Sequence, residues 1–166
     1  MAMRDLGPAE HFLAGALGEP GSRHFYIQVA AAGATMWLHA EKQQVAALAS
    51  QSLAILAAAN LQPDTDVVAE IRQNLVLREP DNEIFPVGAV QLAVLESELI
   101  TVAIASAQEE DDGIRFLVAP EQIQAMAEAA LEAVSAGRPI CPHCHLPEDP
   151  HGHRCPAGNG HFPTHA

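Results

Sequence analysis

Two stretches of this chain run through the same order of elements, and neither could close a fold alone. The first, about residues 11–61, opens on Phe12-Leu-Ala-Gly15-Ala-Leu17 and turns at Gly18-Glu-Pro-Gly21. It then alternates over residues 24–29, with Phe25, Ile27 and Val29 on one face, turns again at Ala31-Ala-Gly33, and continues through residues 35–39. From Glu41 onward Val45, Leu48, Ser52 and Leu56 share one helical stripe. Alternation marks strands and a spacing of three or four marks a helix, so the order is strand, strand, strand, helix. The second stretch, about residues 85–137, opens on Phe85-Pro-Val-Gly88-Ala-Val90, in the same Phe-x-x-Gly-Ala-aliphatic frame. Strands are expected over 87–95, 99–107 and 114–118. A helix then begins at Pro120, carries Ile123, Met126, Ala130, Leu131 and Val134 as its apolar stripe, and stops at Gly137. A three-stranded sheet under one helix leaves its edges unpaired. Two such units are therefore expected to pair edges or to pack face to face about a pseudo-two-fold axis.

The expected fold class is α+β: two strand-strand-strand-helix repeats in a body of residues 1–137, followed by a zinc-knuckle tail of residues 138–166. The connector, residues 62–84, contains an amphipathic stretch over 67–77 that reads as a short helix.

The tail holds all three cysteines and six of the nine histidines. Cys141-Pro-His-Cys144 has the two-residue gap that aims two sulfurs at one ion, and Cys155 supplies a third thiolate. The fourth ligand is expected to be His153, because Gly152 frees the backbone for a second turn and Pro156 follows Cys155 as Pro142 follows Cys141. His145, His151 and His161 remain as substitutes. Proline-rich and polar, the segment cannot bury a core of its own. Structural zinc contributes on the order of 10–16 kcal/mol in small peptides, against about 1.5–3 kcal/mol for one buried aliphatic side chain. Four protein ligands would close the site and make the zinc structural, whereas a catalytic ion keeps a position for water. Cys-Pro-His-Cys is also a redox motif, but there it opens a helix after a strand, and here it follows a helix. An iron–sulfur cluster normally takes four cysteines.

Charge narrows the partners. Residues 1–137 carry nineteen acidic and six basic side chains, while the tail is balanced. An acidic body repels phosphate backbones and anionic lipid, so no nucleic acid and no membrane is expected. No uncharged apolar run of membrane-spanning length occurs, the first residues lack the pattern of an export signal, and a cytoplasmic location is the expectation. There is no Gly-rich phosphate loop, no Gly-x-Ser-x-Gly and no His-Glu-x-x-His. The acidic run at 109–112 lacks the ligand spacing of a calcium loop and reads as a solvated turn. His24 and His39, on neighbouring expected strands, are placed to face each other, as partly buried hydrogen-bonding residues.

Four motifs together carry a resemblance over nearly the whole chain. They are Leu-Gly-Glu-Pro-Gly-x-Arg-x-Phe-Tyr-Ile-Gln at 17–28, Glu-Lys-Gln-Gln-Val at 41–45, Phe-x-Val-Gly at 85–88, and Gly-Arg-Pro-x-Cys-Pro-x-Cys with Asp-Pro-x-Gly-His-x-Cys-Pro over 137–156. In these the chain resembles an uncharacterised bacterial family, domain of unknown function 3090. The resemblance supports Cys141, Cys144, His153 and Cys155 as one ligand set and brings no established activity. Its members are often encoded beside phosphoglycerate-mutase-like and kinase-like proteins, which implies a shared pathway involving a phosphorylated compound. Two departures stand out: Pro86 where the family usually has Arg, and Ala119 where it has a Ser or Thr cap. The resemblance also singles out Arg23, Gln28, Lys42 and Gln43 as a candidate ligand pocket, with Tyr26, Glu41 and Gln44 nearby. The plainer reading of those residues is a hydrogen-bonded sheet edge and an exposed helix start.

The expected function is a non-enzymatic binding or assembly module with structural Zn2+ and a protein partner. The alternative is a small enzyme or ligand-binding protein for a small anionic metabolite. Recognition of single-stranded RNA by the knuckle fits the acidic charge and sparse aromatics poorly.

Overall fold

A computed structural model describes residues 2–136, 141–146, 148 and 155–158. Six strands close into one barrel in chain order, β1 (Met3–Leu17), β2 (His24–Ala31), β3 (Ala34–Ala40), β4 (Glu83–Val94), β5 (Ile100–Ser106) and β6 (Gly113–Val118). The helix α1 (Lys42–Ala58) follows β3, α2 (Thr65–Asn74) lies in the connector, and α3 (Pro120–Ser135) follows β6. Each half runs strand, strand, strand, helix, as the periodicity predicts.

The two halves meet edge to edge. Within each, neighbouring strands are antiparallel, and the two seams, β3 with β4 and β6 with β1, are parallel. Both seams are made by a strand that changes neighbours midway. β1 runs with β6 from Met3 to Pro8 and with β2 from Ala9 to Leu17. β4 runs with β3 through Pro86 and with β5 from Val87 on. Proline has no N–H to give a ladder, and Pro8 and Pro86 both stand where the ladder changes sides. Gly88, just beyond the second changeover, is required by space: a Cβ there would lie 2.9 Å from the Ser106 carbonyl oxygen.

Each helix start is tied to the changeover strand by a glutamine. Gln44 accepts from the Glu41 N–H at 2.8 Å and donates to the Val87 carbonyl at 2.8 Å. Gln122 accepts from the Ala119 N–H at 2.8 Å and donates to the Ala9 carbonyl at 2.9 Å. The Ala119 side chain makes no capping bond, so of the two bonds of a capping box only the reach-back from Gln122 to the Ala119 N–H is made. Gln44 and Gln122, Val87 and Ala9, and Pro86 and Pro8 are separated by the same stretch of chain.

This register corrects one expectation. Phe12 and Phe85 open look-alike frames but do not hold equivalent places. Phe12 lies opposite Val29 in the antiparallel part of β1, and its counterpart is Val90, opposite Ile104. Phe85 sits between Glu83 and Pro86, in the part of β4 that runs with β3. The shared spelling reflects composition, not position.

One core fills the barrel and the groove beneath the helices. Phe12, Ile27, Val29, Leu38, Ile104 and Phe116 point inward from the strands, and Val45, Leu48, Ile123 and Met126 add the inner stripes of α1 and α3. Phe12 of β1 and Phe116 of the neighbouring β6 meet edge to face, centroids 5.1 Å apart. Leu131, expected in the α3 stripe, is exposed instead. α2 starts on the Asp64 side chain, which accepts from the Asp66 and Val67 N–H groups, and Arg72 ties it to Glu128 and Glu132 of α3.

After α2 the chain crosses the outer face of β1, β2 and β3 as a strap, residues 75–83. Tyr26, Gln28 and Trp37 point outward, away from the core, and all are buried because the strap covers them. Gln28 Oε1 accepts from Trp37 Nε1 at 3.0 Å and from the Arg78 N–H at 2.9 Å, and its Nε2 donates to the Val76 carbonyl at 3.3 Å. Trp37 Nε1 also donates to the Arg78 carbonyl at 3.1 Å, and Tyr26 Oη donates to Glu83 at 2.9 Å.

Candidate metal centre

Beyond α3 the described part of the tail gathers three sulfurs. The loop from Cys141 is closed by two backbone bonds, His145 N–H to the Cys141 carbonyl and Cys141 N–H to the Leu146 carbonyl, each 2.9 Å. His145 takes a left-handed φ of 60°. That reversal lets the chain double back directly after Cys144. Cys155 arrives from across the loop, immediately before the short 3-10 turn Pro156–Gly158. The sulfurs of Cys141, Cys144 and Cys155 all lie within 4.8 Å of one another. Cys141 and Cys155 are fully buried, and Cys144 is partly exposed.

The Cys141 and Cys155 sulfurs are 3.8 Å apart. A disulfide would need about 2.05 Å. Two thiolates at about 2.3 Å from one tetrahedral ion would stand roughly 3.8 Å apart. Without a cation such a cluster disfavours ionisation. Burial pushes the Cys144 thiol above its ordinary range, the Leu146 N–H pulls the other way, and the neighbouring cysteines push it up again. A divalent cation reverses that balance by binding the thiolate form and releasing protons. The donor set therefore fits a soft metal ion.

Three sulfurs leave one place in a tetrahedral set. His151, His153 and His161, the expected source of the fourth ligand, lie outside the described residues. His145 is described, and it is exposed and not among the cluster's ligand atoms.

The candidate pocket residues are distributed differently from the expectation. Arg23 donates from Nη1 to the Ala133 carbonyl at 2.7 Å, in the last turn of α3, and lies 5.1 Å over the Phe25 ring. Arginine is well suited to capping a helix's last carbonyls. Gln28 is the buried anchor of the strap. Lys42 and Gln43 are exposed on the first turn of α1, and among the described residues neither side chain makes a hydrogen bond or ion pair. A cavity on the outer face includes Gln28 in its lining but not Arg23, Lys42 or Gln43. His24 and His39 do approach, ring centroids 6.3 Å apart, with Tyr26 edge-on to His39 at 5.7 Å. The strap residues Val76, Arg78 and Glu83 were not read from sequence as partners of this face. No local pattern marks them, although three polar-tipped side chains facing away from a core do call for partners.

The fold and the cluster define a class: a closed six-stranded barrel with helices, followed by a three-cysteine group able to hold a metal ion. The chain belongs to the family described as protein of unknown function DUF3090, whose model matches residues 5–155. No curated protein and no solved structure matches the chain. Among the described residues no helix is long and apolar enough to cross a membrane.

Proposed function

We propose that this protein is a non-enzymatic binding or assembly module whose tail is ordered by one structural Zn2+, held by Cys141, Cys144, Cys155 and His153. The observation that carries this reading is the three-sulfur cluster, with two sulfurs fully buried and separated as ligands of one tetrahedral ion would be. Thiolate donors select zinc among the common divalent ions of low redox activity. The body, residues 1–137, then serves as the platform and the tail, residues 138–166, as the part that metal makes rigid. The partner in this reading is a protein, and the location is the cytoplasm, where thiols stay reduced.

An internal duplication of the body belongs to the same reading. It is supported by the matched seams and by the matched pairs Gln44/Gln122 and Pro8/Pro86.

The test is elemental analysis of the purified chain together with single Cys→Ser and His153→Ala variants. One zinc per chain is expected, lost in each cysteine variant, with loss of order confined to the tail and the barrel's circular dichroism retained. A chain that purifies without metal and takes up no zinc would refute the reading. Zinc that binds but exchanges a water ligand with substrate-like anions would make the site catalytic.

A further inference from the structure

The strap leaves one hollow over the outer sheet. His11, Ala30 and Thr35 form a row across three strands, His11 opposite Ala30 and Ala30 opposite Thr35. The next row, Leu13, Gln28 and Trp37, is built of large side chains and meets the strap directly. Alanine at the centre of the first row is therefore what leaves space. The resulting cavity, about 110 Å3, is bounded on the strap side by Asn74 and Arg78. At about 30 Å3 per water this is room for three or four waters or one small polyatomic ion, well below the roughly 300–1,000 Å3 of a site that engulfs a whole metabolite.

The hydrogen-bonding capacity left in the hollow is rich in donors. Gln28 Oε1 already accepts twice, and the Val76 carbonyl accepts from Gln28 Nε2. Donors remain. Asn74 uses one amide hydrogen on the Glu70 carbonyl and has a second. Among the described residues, the Arg78 guanidinium, the His11 ring and the Thr35 hydroxyl have no hydrogen-bond or ion-pair partner. Elsewhere on this acidic body Arg72 is paired with Glu128 and Glu132, Arg115 with Asp5, and Arg23 with the Ala133 carbonyl. In a chain with twenty-one acidic and eight basic side chains, this hollow is lined by an arginine and a histidine and by no carboxylate.

We propose that this hollow binds a small oxyanion, of the size of phosphate, sulfate or acetate, between Arg78 and His11, with Thr35 and Asn74 donating. The guanidinium fork suits the paired oxygens of such an ion. Arg78, His11 and Asn74 are exposed at the rim, so a larger molecule can present its oxyanion group while the rest stays outside. This site is independent of the metal.

Trp37, the only tryptophan, reports on the site because its indole N–H bonds to the Arg78 carbonyl. The experiment titrates the full chain as purified with sodium phosphate, sulfate or acetate, each against sodium chloride at equal ionic strength. Trp37 fluorescence and calorimetry are followed in parallel. A saturable response to at least one oxyanion and none to chloride is expected, and the phosphate and acetate arms separate tetrahedral from carboxylate recognition. Arg78→Gln and His11→Gln should each weaken it roughly tenfold or more, the scale of one lost charge-assisted hydrogen bond. Ala30→Val should abolish it by filling the hollow while leaving the Arg78 and His11 side chains in place. Should Ala30→Val disturb folding, Arg78→Gln still decides, since that side chain is exposed and the backbone bonds of Arg78 are kept. No heat or fluorescence change beyond that of chloride, or equal affinity in wild type and the Arg78 and His11 variants, would overturn the proposal.

Discussion

Gln44 and Gln122 show how much one side chain can join. Each satisfies an N–H at a helix start and a carbonyl on the strand where the ladder changes neighbours. Removing one leaves a part-buried carbonyl and an N–H without partners, at about 1–3 kcal/mol for each buried group left unsatisfied. Gln44→Ala and Gln122→Ala should therefore each cost about 1–3 kcal/mol in urea unfolding, and by similar amounts, since the two bonds are alike. A loss below the error of the measurement in either would mean water replaces the glutamine. The sequence marks a strand-to-helix junction before each glutamine, because periodicity is local information. It did not reveal the carbonyls they reach, which belong to residues far along the chain. For the same reason Cys141, Cys144 and Cys155 were legible as a group from spacing alone, whereas Phe12 and Phe85 were misaligned by a shared spelling.

At the scale of elements, the strap explains why a face of the sheet pointing away from the core is buried. Tyr26 is its far anchor, and burial first, then the bond to Glu83, pushes the phenol above its ordinary value near 10. The folded form thus binds that proton more tightly than the unfolded chain. The stability from neutral Tyr26 is complete below the unfolded phenol's titration and is lost as pH rises through the folded one. Because the chain has one tyrosine, phenolate absorbance titrates it without ambiguity. The midpoint in the native chain should lie above that in urea, and Tyr26→Phe should flatten the alkaline fall in stability. Coincident midpoints would mean the strap is open in solution. The element types of β2, β3, α1 and α3 followed from their periodicity. The first half of β1 did not, since Met3-Arg-Asp-Leu-Gly-Pro8 reads as polar chain ending in a turn. It becomes a strand only because β6 runs beside it.

For the whole molecule, the barrel binds both halves into one core. Phe12 comes from the first half and Phe116 from the second, and they touch. Phe12→Ala and Phe116→Ala should each cost about 3–5 kcal/mol and shift one shared denaturation transition, with a coupling of about 0.5–1.5 kcal/mol in the double variant. Two separate transitions would mean that the halves fold independently. Edge pairing and face-to-face packing were both open from sequence. Closure depends on Pro8 meeting Leu117 and on Pro86 meeting His39, contacts that no short window contains.

The two parallel seams have a consequence for how this chain behaves when crowded. A ring finished by one half meeting the other can be finished equally well by halves traded between two molecules, with every ladder bond re-formed. Heating and slow cooling at high concentration is then the condition under which an exchanged, intertwined pair would form, with the spectrum of a single copy and twice its mass.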